Sequence, residues 1–164
     1  MARKASAVAE KAPARKKTTR ARTPRKKHAV KLGRLADNGI SPSMYGLVEH
    51  GASRRPKIAK ELRGTLELRF SEDFAPVRVV FAHDGILVED VFPPTKDEKP
   101  PKPDLVISGS LPQIVHLASA PLFGGVPRPT NAHGRAALAN VAGRKVKIEG
   151  SPLLARRVLK LLEI

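Results

Sequence analysis

Residues 142–164 read AGRKVKIEGSPLLARRVLKLLEI. From Lys145 to Glu149 charged and apolar side chains alternate, with Val146 and Ile148 on one side and Lys145, Lys147 and Glu149 on the other. This is the period-two pattern of a half-buried strand. Gly150 breaks it. Ser151 then supplies an N-cap oxygen and Pro152 a φ already suited to a first helical turn. At about 100° per residue, Leu154, Leu161, Val158, Leu162 and Ala155 fill one side of the helix, and Leu153 and Leu159 flank them. Arg156, Arg157, Lys160 and Glu163 crowd the narrower remainder. Such an arc is wider than one flat contact requires. Packing on a sheet accounts for much of it, with roughly six large side chains giving an upper-bound transfer term of about 10 kcal/mol; the rest is free to line a cavity.

Working outward, four more runs have strand character. In TLELRF, Leu66, Leu68 and Phe70 alternate with Glu67 and Arg69. VRVVFA follows with Val77, Val79 and Phe81 on one face, then His83-Asp84-Gly85, a hairpin signal because Asp-Gly tolerates positive φ, then ILVEDVF. Residues 93–103, PPTKDEKPPKP, hold five prolines and no large apolar side chain, so they form an exposed loop. DLVISG is a fourth strand before the one at 144–150. Helices are expected at 41–51, with Ser41 as N-cap and Gly51 as terminator, and at 53–64, with Ser53 as cap. Further helices fall at SLPQIVHLAS, with Ile114, Leu117 and Ala118 on one side, and at AHGRAALANVAG, carrying Leu138 and Val141, where the interior Gly134 costs about 1 kcal/mol against Ala. Between these last two lies a Gly/Pro-rich apolar loop, APLFGGVPRPTN. The helices between the last two strands permit a crossover connection, and the order predicts an α+β domain: a five-stranded mixed sheet covered on one face by helices.

Charge divides the chain in two. Residues 1–34 hold thirteen Lys or Arg against one acid, Glu10, whereas residues 35–164 hold eighteen against fourteen. The first segment has few large apolar residues and no helical stripe, so it cannot offset the entropy of ordering. It is expected to be a disordered basic tail, 1–34, ahead of a domain at 35–164. Arg15, Lys16, Lys17, Arg20, Arg22, Arg25, Lys26 and Lys27 are its candidate polyanion contacts, for phosphates of nucleic acid or for anionic lipid. A solubilising tail without a partner and an Arg-rich targeting segment fit the same composition. The tail lacks the apolar run of a secretory signal and no stretch is long enough to span a membrane, so a cytoplasmic protein is expected.

The region PDLVISGS–IVHLAS–GRKVKIEGSPLLARRVLKLL, with LRGTLELRF…VRVVFAHDGILVEDV before it, resembles the sterol carrier protein, or non-specific lipid-transfer, domain family over about residues 38–164. The Gly-Arg-Lys…Ile…Gly-Ser…Leu turn from last strand to last helix carries most of the likeness. The resemblance implies a five-stranded sheet under helices, with an apolar tunnel between them for a sterol, fatty acid or acyl-CoA and the last helix as part of its cover. Leu68, Phe70, Val79, Phe81, Ile107, Ile114, Leu117, Leu138, Val158, Leu161 and Leu162 are then candidate tunnel walls by alternation and helical phase, with Leu122 and Phe123 as plugs of a glycine-hinged gate. Two helices ahead of the first strand, the longer apolar loop, the basic tail and a terminus that is not the Ser-Lys-Leu peroxisomal address depart from the pattern.

Catalytic chemistry has no foothold. With no Cys there is no thiolate ligand or thiol nucleophile. The five His residues never take the spacing of a helical metal site. FGGVP lacks the Lys-Ser/Thr of a phosphate loop, and no Ser sits in a Gly-x-Ser-x-Gly frame. No catalytic residues, metal or cofactor are therefore expected. The chain is expected to be a non-enzymatic lipid carrier whose partners are a lipid ligand and, transiently, a membrane surface. The alternative is nucleic-acid or polyanion binding through the tail, with the folded part as a protein-interaction module. The sequence leaves the oligomeric state open.

Overall fold

The computed structural model describes residues 29–93 and 101–163. In chain order its elements are β1 (Val30–Leu32), α1 (Ser41–Arg54), α2 (Pro56–Glu61), β2 (Gly64–Phe70), β3 (Val77–Phe81), β4 (Ile86–Asp90), β5 (Leu105–Gly109), α3 (Leu111–Ser119), β6 (Leu122–Phe123), β7 (Val126–Pro127), α4 (Ala132–Ala142), β8 (Lys147–Gly150) and α5 (Pro152–Leu162). The expected α+β architecture holds, with six strands in the mixed sheet rather than five, in the order β1-β4-β3-β2-β5-β8.

Alternation in sequence becomes a two-faced sheet. Leu66 pairs with Val79 and Leu105, and Leu68 with Val77 and Ile107. Phe81 pairs with Ile86, and Val79 with Val88. This face is the buried one, and α1 lies over β1 and β4 while α3 lies over β5. The opposite face carries Glu67, paired across the strands with Arg78, which in turn pairs with Glu89. Glu67, only 6% exposed, accepts from Arg69 Nε at 2.8 Å and sits 3.6 Å from Arg78, so its buried carboxyl group is paired on both sides.

Four expectations are corrected. First, Val30–Leu32, inside the stretch expected to be tail, forms β1 parallel to β4. Its apolar Val30 meets Ile86 and finds there the burial that the flanking basic residues concealed; residues 1–28 and all eight candidate polyanion contacts lie outside the described residues. Second, Ser41 does not cap α1. Ile40 holds that position, and the buried Ser41 hydroxyl donates instead to Asp90 Oδ1 at 2.7 Å. Third, α1 runs past Gly51 to Arg54, and Arg55, not Ser53, precedes α2. Fourth, β5 and β8 are antiparallel neighbours rather than the two ends of a crossover. The pair α3 and α4 returns the chain to the end of the sheet where β5 finished, so β8 runs back beside it. The parallel pairings are β1 with β4 and β2 with β5.

The terminal helix follows its sequence closely. The Ser151 side chain accepts from Leu154 N, Pro152 opens the first turn, and Leu154, Ala155, Val158, Leu159, Leu161 and Leu162 are buried. Its neighbours are α1, α2 and α3. The wide apolar arc therefore meets helices on its flanks as well as the apolar layer above the sheet.

Candidate functional site

The candidate site is the apolar layer between the sheet and α1, α3 and α5. The sheet contributes Leu68, Val79, Phe81 and Ile107, α3 contributes Ile114 and Leu117, and α5 contributes Val158, Leu161 and Leu162; all are buried in one cluster. Phe70 and Leu122 are partly buried against it. Eleven of the thirteen expected wall and gate residues are thus brought together. The other two are not. Leu138 is half-buried on α4 outside that cluster, and Phe123 is 75% exposed.

Phe123 is outside for a local reason. The expected apolar loop is a small hairpin, β6 paired with β7, Leu122 opposite Pro127 and Phe123 opposite Val126. Period two sends Leu122 and Pro127 inward and leaves Phe123 and Val126 outside. Gly124 and Gly125, at φ of 63° and 82°, make the turn. Gly125 is buried against Arg156 of α5, where an added Cβ would lie 2.9 Å from Arg156 Cβ. Gly134, expected to be a weak point of α4, has a comparable cause. A Cβ there would fall 1.9 Å from the Arg128 carbonyl oxygen, so the helix needs glycine to approach the chain leaving the hairpin.

Two polar anchors at the layer's edges escaped the sequence reading. Asp90 is 1% exposed; its Oδ2 accepts from Ala36 N at 3.0 Å and its Oδ1 from Ser41, tying β4 to the start of α1. Glu163, just past α5, accepts from Arg55 Nη2 at 2.5 Å and from Leu122 N at 3.0 Å. One carboxylate therefore holds the α1–α2 junction and the hairpin to the end of the last helix. Neither anchor follows a local motif, since the partners lie 41 to 108 residues away for Glu163 and 49 and 54 for Asp90. On α1, half-buried against the same cluster, the Tyr45 phenol is pushed up from its ordinary value by desolvation and then by the neighbouring Glu49 carboxylate.

Clefts lie elsewhere among the described residues. An open one of about 670 Å³ is lined by Leu35, Phe74, Pro76, Val91 and Phe92, with Asp37 and Asp73 on its wall. A smaller one of about 250 Å³ lies on the outer face of the sheet beside Lys31, Val80 and Leu87. None of the expected tunnel residues lines either. Among the described residues no three His, Asp or Glu converge to hold a metal ion, and no helix is long and apolar enough to cross a membrane.

No protein-family model matches the sequence, and no curated protein matches it significantly. Solved structures do match. A UbiJ-SCP2 ubiquinone synthesis protein superposes with a TM-score of 0.51 at 9% identity, over 76% of this chain and 88% of the other. Sterol carrier protein 2 from Yarrowia lipolytica, in its apo form, gives 0.45 at 14% identity over 77% and 92%. The sec-alkylsulfatase Pisa1 from Pseudomonas gives 0.45 at 16% identity, over 66% of this chain and 14% of that enzyme. At these identities the likeness is one of fold.

Proposed function

The fold is of the sterol-carrier type, and from it we propose that the protein binds a lipid without chemical change and passes it between membranes. The observation that carries the reading is the single apolar cluster enclosed by the sheet face, α3 and α5 on a fold shared with a UbiJ-SCP2 protein. An acyl chain of ~16 carbons gains roughly 12 kcal/mol on leaving water, at ~0.8 kcal/mol per CH₂. A bilayer offers nearly the same gain, so uptake and release are balanced and a carrier needs apolar walls and a movable edge rather than reactive groups. The ligand class is a sterol, fatty acid or acyl-CoA, seated among Leu68, Ile107, Ile114, Leu117, Val158 and Leu161. The hairpin Leu122–Pro127, held to α5 by the Glu163–Leu122 hydrogen bond, is the movable edge.

Native mass spectrometry of the full chain purified without detergent tests this. A retained mass of lipid size, identified after extraction, is expected. A protein that is empty and also fails to take up a fluorescent fatty acid has a filled core and is not a carrier.

A second activity rests on residues 1–34, whose thirteen basic side chains against one acid suit binding to a polyanion. It uses a different part of the chain and coexists with lipid carriage.

A further inference from the structure

The chain beyond residue 28 is electrically lopsided. Residues 29–109 hold twelve Lys or Arg and twelve Asp or Glu, whereas residues 110–164 hold eight Lys or Arg and two acids. From 110 to 148 there is no acid at all. Of the two acids, Glu163 is engaged by Arg55, which leaves Glu149 on β8.

Within this field the hairpin and α5 make one surface. Leu153, Arg156, Arg157 and Lys160 fall at i, i+3, i+4 and i+7, all exposed, and so form the outward stripe of α5. Leu153 is 62% exposed at its start. The turn of the hairpin rests on Arg156 through Gly125 and puts Phe123 beside that stripe, with the Arg128 guanidinium 5.8 Å from the Phe123 ring centre. A large apolar side chain exposed at a hairpin tip, with an arginine over its ring and a cationic helix stripe next to the hairpin, is unfavourable in water and suits the boundary between anionic headgroups and acyl chains.

A second exposed Phe in the same fold sharpens the choice. Phe92 also has an arginine over its ring, Arg34 at 5.4 Å, with the exposed Leu35 in the same cleft. Asp37 and Asp73 share that cleft, however, and oppose an anionic surface. We propose that the protein docks on anionic lipid bilayers through the β6–β7 hairpin tip and the outward stripe of α5, with Phe123 entering the acyl boundary and Arg128, Arg156, Arg157 and Lys160 contacting headgroup phosphates. The proposal deepens the carrier reading, because the docked hairpin is the movable edge over the apolar layer.

The chain contains no Trp, so Phe123→Trp and Phe92→Trp each place one indole reporter in the full chain. Every variant keeps the basic tail, which adds to total binding but cannot bury a side chain at position 123. Vesicles of phosphatidylcholine with phosphatidylglycerol are titrated in, with bromine-labelled lipid as depth quencher. The indole at position 123 is expected to shift to the blue and be quenched, and the one at position 92 to stay unchanged. A Lys or Arg near an anionic surface is worth about fivefold in partition. Replacing Arg156, Arg157 and Lys160 by Gln in the Phe123→Trp chain should therefore raise the lipid concentration for half the shift by about a hundredfold. A silent reporter at position 123, equal shifts at both positions, a triple variant that titrates unchanged, or a position-123 reporter that answers duplex DNA rather than vesicles would each overturn the proposal. An empty protein by mass spectrometry whose position-123 indole responds to vesicles refutes carriage and leaves docking standing. Retained lipid with a silent indole there does the reverse.

Discussion

Gly51 and Gly46 occupy the same helix and should answer alanine in opposite directions. Gly46 is exposed and a Cβ there meets nothing within 4 Å. Gly51 is buried where α1 crosses α5, and a Cβ there would stand 2.3 Å from the Leu161 carbonyl oxygen and 3.1 Å from its carbon. Both of these are backbone atoms, which no rotamer change can move. Ordinary contact begins near 3.4 Å, so α5 must retreat by about 1 Å, taking its buried leucines with it. Alanine for glycine inside a helix gains up to about 1 kcal/mol by lowering the entropy of the unfolded chain, and Gly46→Ala should show that gain. At Gly51 the same gain is set against overpacking of about 1–3 kcal/mol and the loosened contacts of α5. Gly51→Ala should thus be destabilising by about 1–2 kcal/mol, so the two variants differ by about 2–3 kcal/mol. Urea unfolding followed by far-UV circular dichroism measures both. If the two alanines stabilise alike, α1 and α5 are not in backbone contact and the crossing of the two helices is wrong.

Three further outcomes are expected. Asp90→Ala removes a buried acceptor from Ala36 N and the Ser41 hydroxyl and should cost about 2–4 kcal/mol, with Ser41→Ala costing about 1–2; a loss below about 0.5 kcal/mol for Asp90→Ala in urea melts contradicts the anchor. Glu163→Ala should raise the hydrogen-exchange rate of the Leu122 amide by about tenfold, whereas Glu163→Gln, which keeps an acceptor for it, should raise it far less; equal protection in both shows that the hairpin is held by other contacts. Removing residues 1–28 should abolish the salt-dependent part of duplex DNA binding, and persistence of that part would move the polyanion site into the folded domain.

Regular elements were legible wherever the burial period matched the repeat of the backbone. Leu66, Leu68 and Phe70, or Val77, Val79 and Phe81, announce a strand because every second residue must face the helices. The leucines of α5 announce a helix for the same reason at period 3.6. Most of the apolar layer followed directly from these phases. The omissions share a different cause. β1 has three residues and one useful apolar contact, too few for a period to appear. Ser41 has the chemistry of a cap, and only the distant Asp90 diverts it. Gly51 and Gly134 read as a stop and a weakness because glycine's local meaning is flexibility, whereas each serves a backbone crossing set by a segment elsewhere in the chain. Phe123 belongs to an apolar run, and only the two-residue hairpin decides that it points to water.

β1 shields the hydrogen-bonding edge of β4. Gly33 N donates to the Val88 carbonyl and Ile86 N to the Ala29 carbonyl, and Val30 sits beside Ile86. Compositional boundaries place the start of the domain at 35, and a truncation there strips this shield away. Unpaired donors and acceptors along Ile86–Asp90, next to Leu87 and Val88, then form a template for strand addition by a second copy. A chain begun at 29 keeps the guard, and the same sheet should then stay monodisperse where the shorter version aggregates. The few residues joining the basic segment to the domain thus decide whether the protein remains in solution once that segment is cut away.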